Sequence, residues 1–483
     1  MKLPDLVPVR QSTTEAVTKS FRELTTPTIR LGVTGLSRAG KTVFITSLVR
    51  NLMGARRMPF FTAAHTGVLS GAILKPQPDD EIPSFDYREH LEALTRDPPT
   101  WPENTQHISQ LRLALQVAPQ TTWGSLTGMS QVYLDIVDYP GEWLLDLELM
   151  ELDYATWSAR ILDQVGRADH AEISAEFRAA LADIDDKTTF EDDTARTVSR
   201  AFTKYLRAAR EKPPGLATLG PGRFLLPGER SGSPLLTFAP LSPEAHDIRT
   251  PYATEFARRF EGYKSQIVRP FFNKHFRKLD RQIVLVDALA ALNGGAQSLE
   301  DLRAALRASL AAFRPGNASW LRRLIGDVRI DKVLFAATKA DHLPQSSHDR
   351  LQRVLKLLTD DASRSMEQGG ASVDVLALAA VRATREATGT DGGETFSVIK
   401  GRPLAGESIA GETYDGNREA AIFPGDLPDD PVKALADAES GALSDMTFVR
   451  FAPPELEDET ASTIWPHIRL DRALEYLISD RLP

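Results

Sequence analysis

Short apolar runs recur along the chain and predict buried β-strands. They cover residues 28–34, 111–117, 131–137, 282–287, 332–337, 374–379 and 447–451. Most of these runs are continuous rather than alternating with polar positions, which is typical of strands covered on both faces. We therefore expect a mainly parallel sheet with helices on both faces.

Segments with helical spacing of apolar residues lie between and after these strands. They are predicted at residues 13–25, 41–53, 144–211, 251–278, 298–313, 347–358 and 468–480. Within the longest segment, Phe202, Tyr205 and Leu206 fall on one helix face. Ser346 is the expected N-cap of the helix over 347–358. Strands that alternate with helices predict an α/β fold.

Three stretches interrupt this alternation. Residues 55–110 contain seven prolines and are predicted to be mostly loop, and the Pro- and Gly-rich residues 213–243 are predicted to be an extended linker. Residues 384–446 are rich in Gly, Asp and Pro and predict an irregular insertion. The expected organisation is a sheet domain formed by residues 1–143, 281–383 and 447–483, interrupted by a mainly helical insertion at 144–280 and an irregular insertion at 384–446.

Composition narrows the function classes. The 483 residues carry a net charge of −9, so we do not expect the protein to bind nucleic acid through its phosphates. The chain has no cysteine, so disulfides, thiolate zinc sites and cysteine nucleophiles are excluded. No run of 18 apolar residues is present, so no transmembrane segment is predicted. We expect a soluble cytoplasmic protein.

The first chemically informative segment runs from Gly35 to Thr42. Its letters, GLSRAGKT, match the pattern G-x-x-x-x-G-K-[ST] and lie between a predicted strand and a predicted helix. Glycines allow the close approach and unusual dihedrals that turn successive amide groups toward an anion, and Lys41 adds a positive charge. The expected phosphate-binding set is Gly35, Ser37, Arg38, Ala39, Gly40, Lys41, Thr42 and Val43.

A D-x-x-G motif, from Asp138 to Gly141, follows the predicted strand 131–137. A carboxylate at this strand end can hold Mg²⁺ through water, and the glycine amide can reach a γ-phosphate. The Thr42 hydroxyl is the expected direct Mg²⁺ ligand. Thr105 is the expected second hydroxyl ligand, with Thr100 and Ser109 as alternatives.

The segment Thr338-Lys339-Ala340-Asp341 follows the strand over 332–337 and predicts selection of a purine base. One carboxylate, that of Asp341, can accept hydrogen bonds from both N1 and N2 of guanine, whereas adenine has no N1 hydrogen to donate. The Lys339 stem can lie over the purine ring. After the next strand, the Ala380 amide is expected to donate to guanine O6, with Val381 beside it.

Residues for hydrolysis follow from their place around the phosphates. Glu142, directly after Gly141, is the candidate for orienting water, although its charge is unfavourable beside a triphosphate. Arg38 in the loop is a candidate for stabilising the developing charge, together with Lys41. Slow intrinsic hydrolysis is therefore expected.

These motifs together carry a resemblance to a known family. In chain order GLSRAGKT, DYPGEW, TKAD and AAVRAT resemble the Ras-like P-loop GTPase superfamily, with Thr338 in place of the usual asparagine. WPENT (101–105), RQIVLVDALAALN (281–293), FPGDLP (423–428) and PHIRLDRALEYLI (466–478) resemble the YcjX-like family of bacterial GTP-binding proteins. The resemblance implies an α/β P-loop NTPase fold, GTP or GDP with Mg²⁺, a stress-response role and a protein effector or inner-membrane partner protein.

Three functions stay open on the residues alone. The first is a GTPase switch that signals through its insertions, and the second is a nucleotide-gated binding module with negligible turnover. The third is an ATP-using P-loop kinase, which does not account for the TKAD segment.

Overall fold

A computed structural model gives the structure of most of the chain. It describes residues 26–35, 39–54, 58–103, 107–118, 130–184, 189–211, 220–242, 250–311, 330–391, 393–409, 411–443, 448–456 and 465–483. The helix predicted at 13–25 lies outside the described residues, as do Ser37, Arg38 and Thr105.

A seven-stranded sheet forms the centre of the molecule. Its strands in chain order are β1 Thr28–Gly35, β2 Leu69–Lys75, β3 Ser109–Val117, β4 Ser130–Asp138, β5 Arg281–Val286, β6 Lys332–Ala337 and β7 Ser372–Ala377. Their order across the sheet is β2-β3-β4-β1-β5-β6-β7. The five neighbouring strands β4, β1, β5, β6 and β7 pair in parallel, whereas β3 is antiparallel to both of its neighbours, β2 and β4. The prediction of a mainly parallel sheet is confirmed.

Helices cover both faces of this sheet. They are α1 Lys41–Met53, α2 Thr62–His65, α3 Tyr87–Thr95, α4 Glu142–Leu149, α5 Tyr154–Val165, α6 Ala175–Ala182, α7 Asp192–Glu211, α8 Gly222–Leu225, α9 Pro251–Tyr263, α10 Arg269–Lys274, α11 Ala288–Asn293, α12 Gly295–Ala311, α13 Gln345–Gln368, α14 Pro431–Ser440 and α15 Leu470–Ile478. One buried cluster joins α1 and α15 to one sheet face, and another joins the helices after β4, α12 and α13 to the other face.

The central strand β1 determines which loops meet. Val33 of β1 lies opposite Asp138 of β4, and Gly35 lies opposite Leu285 of β5. Parallel strands end at the same sheet edge, so the loops after β1, β4, β6 and β7 emerge together.

The helical insertion (residues 144–280) shares its core with the sheet domain. Trp157, 1 % exposed, packs on Phe202, Phe238 and Phe260, with ring centroids 5.1–5.9 Å apart. These side chains belong to the same buried cluster as Val284 and Phe335 of the sheet. Because one continuous apolar cluster includes both parts, the described residues of the insertion pack directly on the sheet.

Two predicted loops are more ordered than the sequence indicated. Within 55–110, β2 adds an edge strand to the sheet and α3 forms with Asp86 as its N-cap, which accepts from the Glu89 amide at 3.2 Å. The prediction of an extended linker at 213–243 is wrong for the described part, 220–242. Phe224 and Phe238 are buried there, and aromatic packing holds short helical turns despite the prolines.

Three smaller predictions near the C-terminal half also need correction. The second insertion is not irregular throughout. An antiparallel sheet is formed by β8 Arg385–Asp391, β9 Glu394–Gly401 and β12 Ala420–Ile422. A hairpin is formed by β10 Ser408–Ile409 and β11 Glu412–Thr413, and α14 follows. Over the described residues 448–451, the predicted strand is reduced to one pairing of Phe451 with Pro403. Pro344, not Ser346, stands at the N-cap of α13, which begins one residue later.

A fully buried arginine ties the closing helix to the sheet. Arg281 of β5 donates from Nε to the Leu477 carbonyl at 2.7 Å, and its Nη atoms bond Asp331 at 2.9 Å and Asp480 at 2.8 Å. These contacts engage all three guanidinium nitrogens and pair the charge with two carboxylates, which is the condition under which a buried charge is tolerated. Among the described residues, no helix combines the length and the apolar character needed to cross a membrane.

Replacing this arginine tests its structural role. Arg281→Ala removes the shared partner of two carboxylates and leaves a buried carbonyl without a donor, so we expect a loss of about 3 kcal/mol in the free energy of unfolding. Arg481→Ala is the matched control because Arg481 also contacts Asp331, at 2.6 Å, but is half exposed. We expect less than about 1 kcal/mol for that variant. Chemical denaturation measures both, and equal losses would contradict the assignment.

Candidate functional site

The loop after β1 and the start of α1 form the phosphate end of the candidate site. Gly40 adopts φ 80°, which favours glycine, and its carbonyl accepts the first helical bond of α1 from the Phe44 amide at 2.9 Å. A Cβ on Gly35 would lie 2.9 Å from the Leu285 carbonyl oxygen of β5. Both glycines are therefore required by the local backbone. The first amides of an α-helix make no i−4 hydrogen bond, and such a helix start is a common place for an anion to bind.

Two oxygen ligands expected for a metal ion lie on neighbouring elements of this edge. Thr42 is buried in the first turn of α1, and its hydroxyl lies 3.5 Å from the Glu103 carbonyl. Asp138, 1 % exposed, ends β4. A hydroxyl and a carboxylate are hard oxygen donors, so the chemistry of this pair fits Mg²⁺.

Thr100 and Ser109, the two alternatives to Thr105 as the second hydroxyl ligand of Mg²⁺, lie in different surroundings. Thr100 is held by its neighbours: its hydroxyl accepts from Arg96 Nη2 at 2.6 Å, and its amide donates to the Ala93 carbonyl at 2.8 Å. Ser109 lies directly opposite Asp138 in the β3–β4 register, and its buried hydroxyl has no hydrogen-bond partner among the described residues. Ser109 is thus the better placed of the two.

The TKAD segment follows β6 and is fixed by its neighbours. The Thr338 hydroxyl donates to the Val286 carbonyl of β5 at 3.3 Å, so this side chain connects the end of β6 to the neighbouring strand. Lys339 adopts φ 60° and forms an ion pair with Asp287, the residue that follows β5. Asp287 also caps α11 by accepting from the Ala290 amide at 3.1 Å. Asp287 was not predicted as a site residue, although it lies within the segment RQIVLVDALAALN (281–293) that carries the family resemblance.

Asp341 is buried against the loop after β7. It is 4 % exposed, and its Oδ2 accepts from the Ala383 amide at 2.8 Å. In that loop the Ala380 carbonyl accepts from the Ser47 hydroxyl of α1 at 2.5 Å. Val381 packs in a small cluster with Leu94 and Trp465, against which Val43 and Trp101 also lie. The loop after β7 therefore packs against both Asp341 and α1, the helix that begins at the end of the GLSRAGKT motif.

The segment after β4 is embedded in the helical insertion. The Tyr139 hydroxyl donates to Gln282 Oε1 at 2.7 Å, and burial raises the pKa of this tyrosine. Glu142, 8 % exposed, forms an ion pair with Arg210 near the end of α7. Arg210 lies 68 residues further along the chain, and no sequence pattern indicated it as a partner.

The buried carboxyl of Asp146, one helical turn after Glu142, makes further contacts between α4 and other helices of the insertion. Asp146 of α4 accepts from the Gly222 amide at 2.7 Å through Oδ1 and from the Tyr263 hydroxyl at 2.7 Å through Oδ2. A Cβ on Gly222 would lie 2.0 Å from the Glu142 carbonyl oxygen, so only glycine allows this approach. The Arg223 guanidinium carbon lies 3.2 Å from the Trp143 ring centroid. The start of α4 is thus held by charge, hydrogen bonds and backbone contact.

The buried Asp146 carboxyl predicts a pH dependence of stability. Burial raises its pKa to about 6 from an ordinary value near 3.8. The folded protein therefore holds a proton that the unfolded chain has lost, and this contribution to stability falls as pH rises through about 4 to 6. We expect the stability of the native protein, relative to Asp146→Asn, to fall by about 1 kcal/mol between pH 5 and pH 8.

Urea denaturation of both proteins across that range measures this difference. The asparagine variant keeps an oxygen that can accept from the Gly222 amide, so this hydrogen bond between α4 and α8 is retained. A difference that does not change with pH would show that Asp146 ionises in the folded protein as it does in the unfolded chain.

Comparison with known proteins identifies the family. The model of the YcjX-like family, DUF463, matches residues 29–482. The chain is 35 % identical over 479 residues to a protein of Shewanella oneidensis named Ras-like GTPase YcjX, with 94 % of each chain covered. It is 37 % identical over 467 residues to the protein of the same name from Escherichia coli K12, covering 94 % of this chain and 96 % of the relative. The chain belongs to the YcjX-like family.

Proposed function

We propose that the protein binds GTP with Mg²⁺, hydrolyses it to GDP and couples the nucleotide state to its helical insertion. The names of the two relatives support a GTPase-type function. A stress-response role and a cytoplasmic location, including peripheral attachment at the inner membrane, are part of the proposal on the family resemblance alone.

The observation that carries this proposal is the shared edge of the parallel strands. The GLSRAGKT, DYPGEW, TKAD and AAVRAT segments begin at or follow the carboxyl ends of β1, β4, β6 and β7. Ligands of α/β proteins bind at that edge, and each segment supplies a different part of nucleotide recognition. An adenine-using kinase would not require a buried carboxylate at 341.

At the phosphate end, the main-chain amides at the start of α1 would bind the β- and γ-phosphate oxygens. The positive end of the helix dipole and the Lys41 ammonium add to this attraction. Ser37, Arg38 and Ala39 would complete the loop. Gly141 would offer its amide to the γ-phosphate, as the residue that precedes α4.

Thr42 and Asp138 would hold the metal ion, Asp138 through water, together with a hydroxyl from Thr105 or Ser109. Bound Mg²⁺ would neutralise charge on the β- and γ-phosphates and orient them for attack. Burial of Thr42, Asp138 and Ser109 favours a fixed position for these oxygens.

At the base end, the Asp341 carboxylate would accept from N1 and N2 of guanine while Oδ2 keeps its bond to the Ala383 amide. The Ala380 amide would donate to O6, with Val381 beside it, and the Lys339 stem would cover the ring. The ion pair of Lys339 with Asp287 supports this position because it fixes the far end of the side chain.

The state of Glu142 favours slow turnover. Its ion pair with Arg210 engages Oε1, so one carboxylate oxygen is left to orient a water molecule. The same observation favours a second candidate function, a nucleotide-gated binding module with negligible turnover.

Asp341→Asn tests base selection. The amide replaces one acceptor with a donor, so we expect GDP affinity to fall about 10- to 100-fold. Affinity for xanthosine diphosphate, whose C2 carbonyl can accept, should rise, and ATP affinity should stay low. Asp349→Asn is the control, since this exposed residue pairs with Arg469 on the surface. Titration with fluorescent nucleotides measures these affinities, and unchanged GDP affinity in Asp341→Asn would contradict the proposal.

Single-turnover phosphate release with the unmodified protein separates the two candidate functions. We expect slow release from GTP that requires Mg²⁺. Tight GTP binding with a flat release trace would remove hydrolysis and leave the binding module.

A further inference from the structure

An ion pair joins the proposed water-orienting residue to the helical insertion. Glu142 follows Gly141 directly and begins α4, and its side chain is 9 % exposed. Its partner Arg210 is the penultimate residue of α7, with a side chain 23 % exposed. A carboxylate beside a polyphosphate is repelled unless a cation accompanies it, and Arg210 is the cation that pairs with Glu142.

Both ends of this pair rest on fixed elements. The last turns of α7 bury Tyr205, Leu206 and Ala209, which fixes the helix that carries Arg210. On the other side, the Gly222 backbone lies against the Glu142 carbonyl, as its close approach shows. Fixed partners lose little conformational entropy when they pair, so the ion pair defines where the Glu142 carboxylate lies.

The negative charge of Glu142 would affect the binding of GTP more than the binding of GDP. GTP carries one phosphate more than GDP, and that phosphate is the one that the loop after β4 would contact. An unpaired Glu142 carboxylate would therefore repel GTP more strongly than GDP. A salt-bridged Glu142 adds no net charge there.

We propose that Arg210 is a positioning residue for GTP binding and hydrolysis: it neutralises Glu142 and holds its carboxylate beside the γ-phosphate position. This inference rests on the proposed function. It gives the insertion a chemical part in the reaction, because α7 supplies the positive charge that pairs with Glu142.

The experiment compares Arg210→Ala with three other variants of the full chain. Arg210→Ala should raise the dissociation constant of a non-hydrolysable GTP analogue about tenfold or more, while that of GDP changes less than about threefold. Adding Glu142→Gln to Arg210→Ala should restore analogue binding, since the uncompensated charge is removed. Arg210→Lys should keep most of the binding because it keeps the charge.

The fourth variant and the rate complete the test. Arg207→Ala is the matched control, since Arg207 is exposed on the same helix one turn earlier, and it should bind and hydrolyse as the unmodified protein does. Single-turnover phosphate release should be slower in Arg210→Ala, because the unpaired Glu142 carboxylate is repelled by the γ-phosphate and is no longer held in one place.

Two results would overturn the inference, and they differ from each other. If Arg210→Ala weakens GDP and the GTP analogue equally, and Glu142→Gln restores neither, Arg210 acts only on folding. If the unmodified protein and Arg207→Ala bind no guanine nucleotide, the proposed function fails and the inference fails with it.

Discussion

The parallel pairing of β1 with β4 on one side and β5 on the other is the constraint on which the rest of the site depends. It sets Val33 beside Asp138 and Gly35 beside Leu285, so that the glycine loop and the D-x-x-G loop leave the sheet at neighbouring points. β1 is buried on both faces, which makes a change of register costly. A slip of one residue would move the phosphate loop and the Asp138 carboxylate apart.

The insertion is bound to this edge through the start of α4. Between Glu142 and Asp146, α4 contacts α7 through an ion pair and α8 through a buried carboxyl and a backbone contact. Tyr263 adds a bond from α9. A motion of the loop after β4 would therefore act on three helices of the insertion at once, which is the physical basis of the proposed coupling between nucleotide state and the insertion.

The sequence predicted the strands and the order of the motifs because both are local patterns. The run TIRLGVT and the helix at 41–53 needed only neighbouring residues, and the structure has β1 and α1 at those positions. The edge strand β2 was missed because Pro59, Pro76 and Pro78 surround it, and its stability comes from pairing with β3. The packing of residues 220–242 was missed because Phe224 and Phe238 are ordered by distant aromatic rings.

The residues of the candidate site also divide into those that local motifs predicted and those that only the fold brings together. Thr42, Asp138 and Asp341 belong to short motifs and lie at the strand edge as expected. Arg210 and Asp287 were missed because their partners are 68 and 52 residues away, and only the folded chain brings those charges together. Ser109 is favoured over Thr100 by the β3–β4 register and by the hydrogen bond that already engages the Thr100 hydroxyl.

Hydrogen exchange measured with GDP and with a non-hydrolysable GTP analogue tests the central claim most directly. The account predicts that the GTP analogue slows amide exchange both at residues 142–146 and at residues 222–226, while the β8–β9 sheet exchanges equally in both states. Slower exchange at 142–146 with no difference at 222–226 would contradict it, because the loop would then respond to the nucleotide without the insertion.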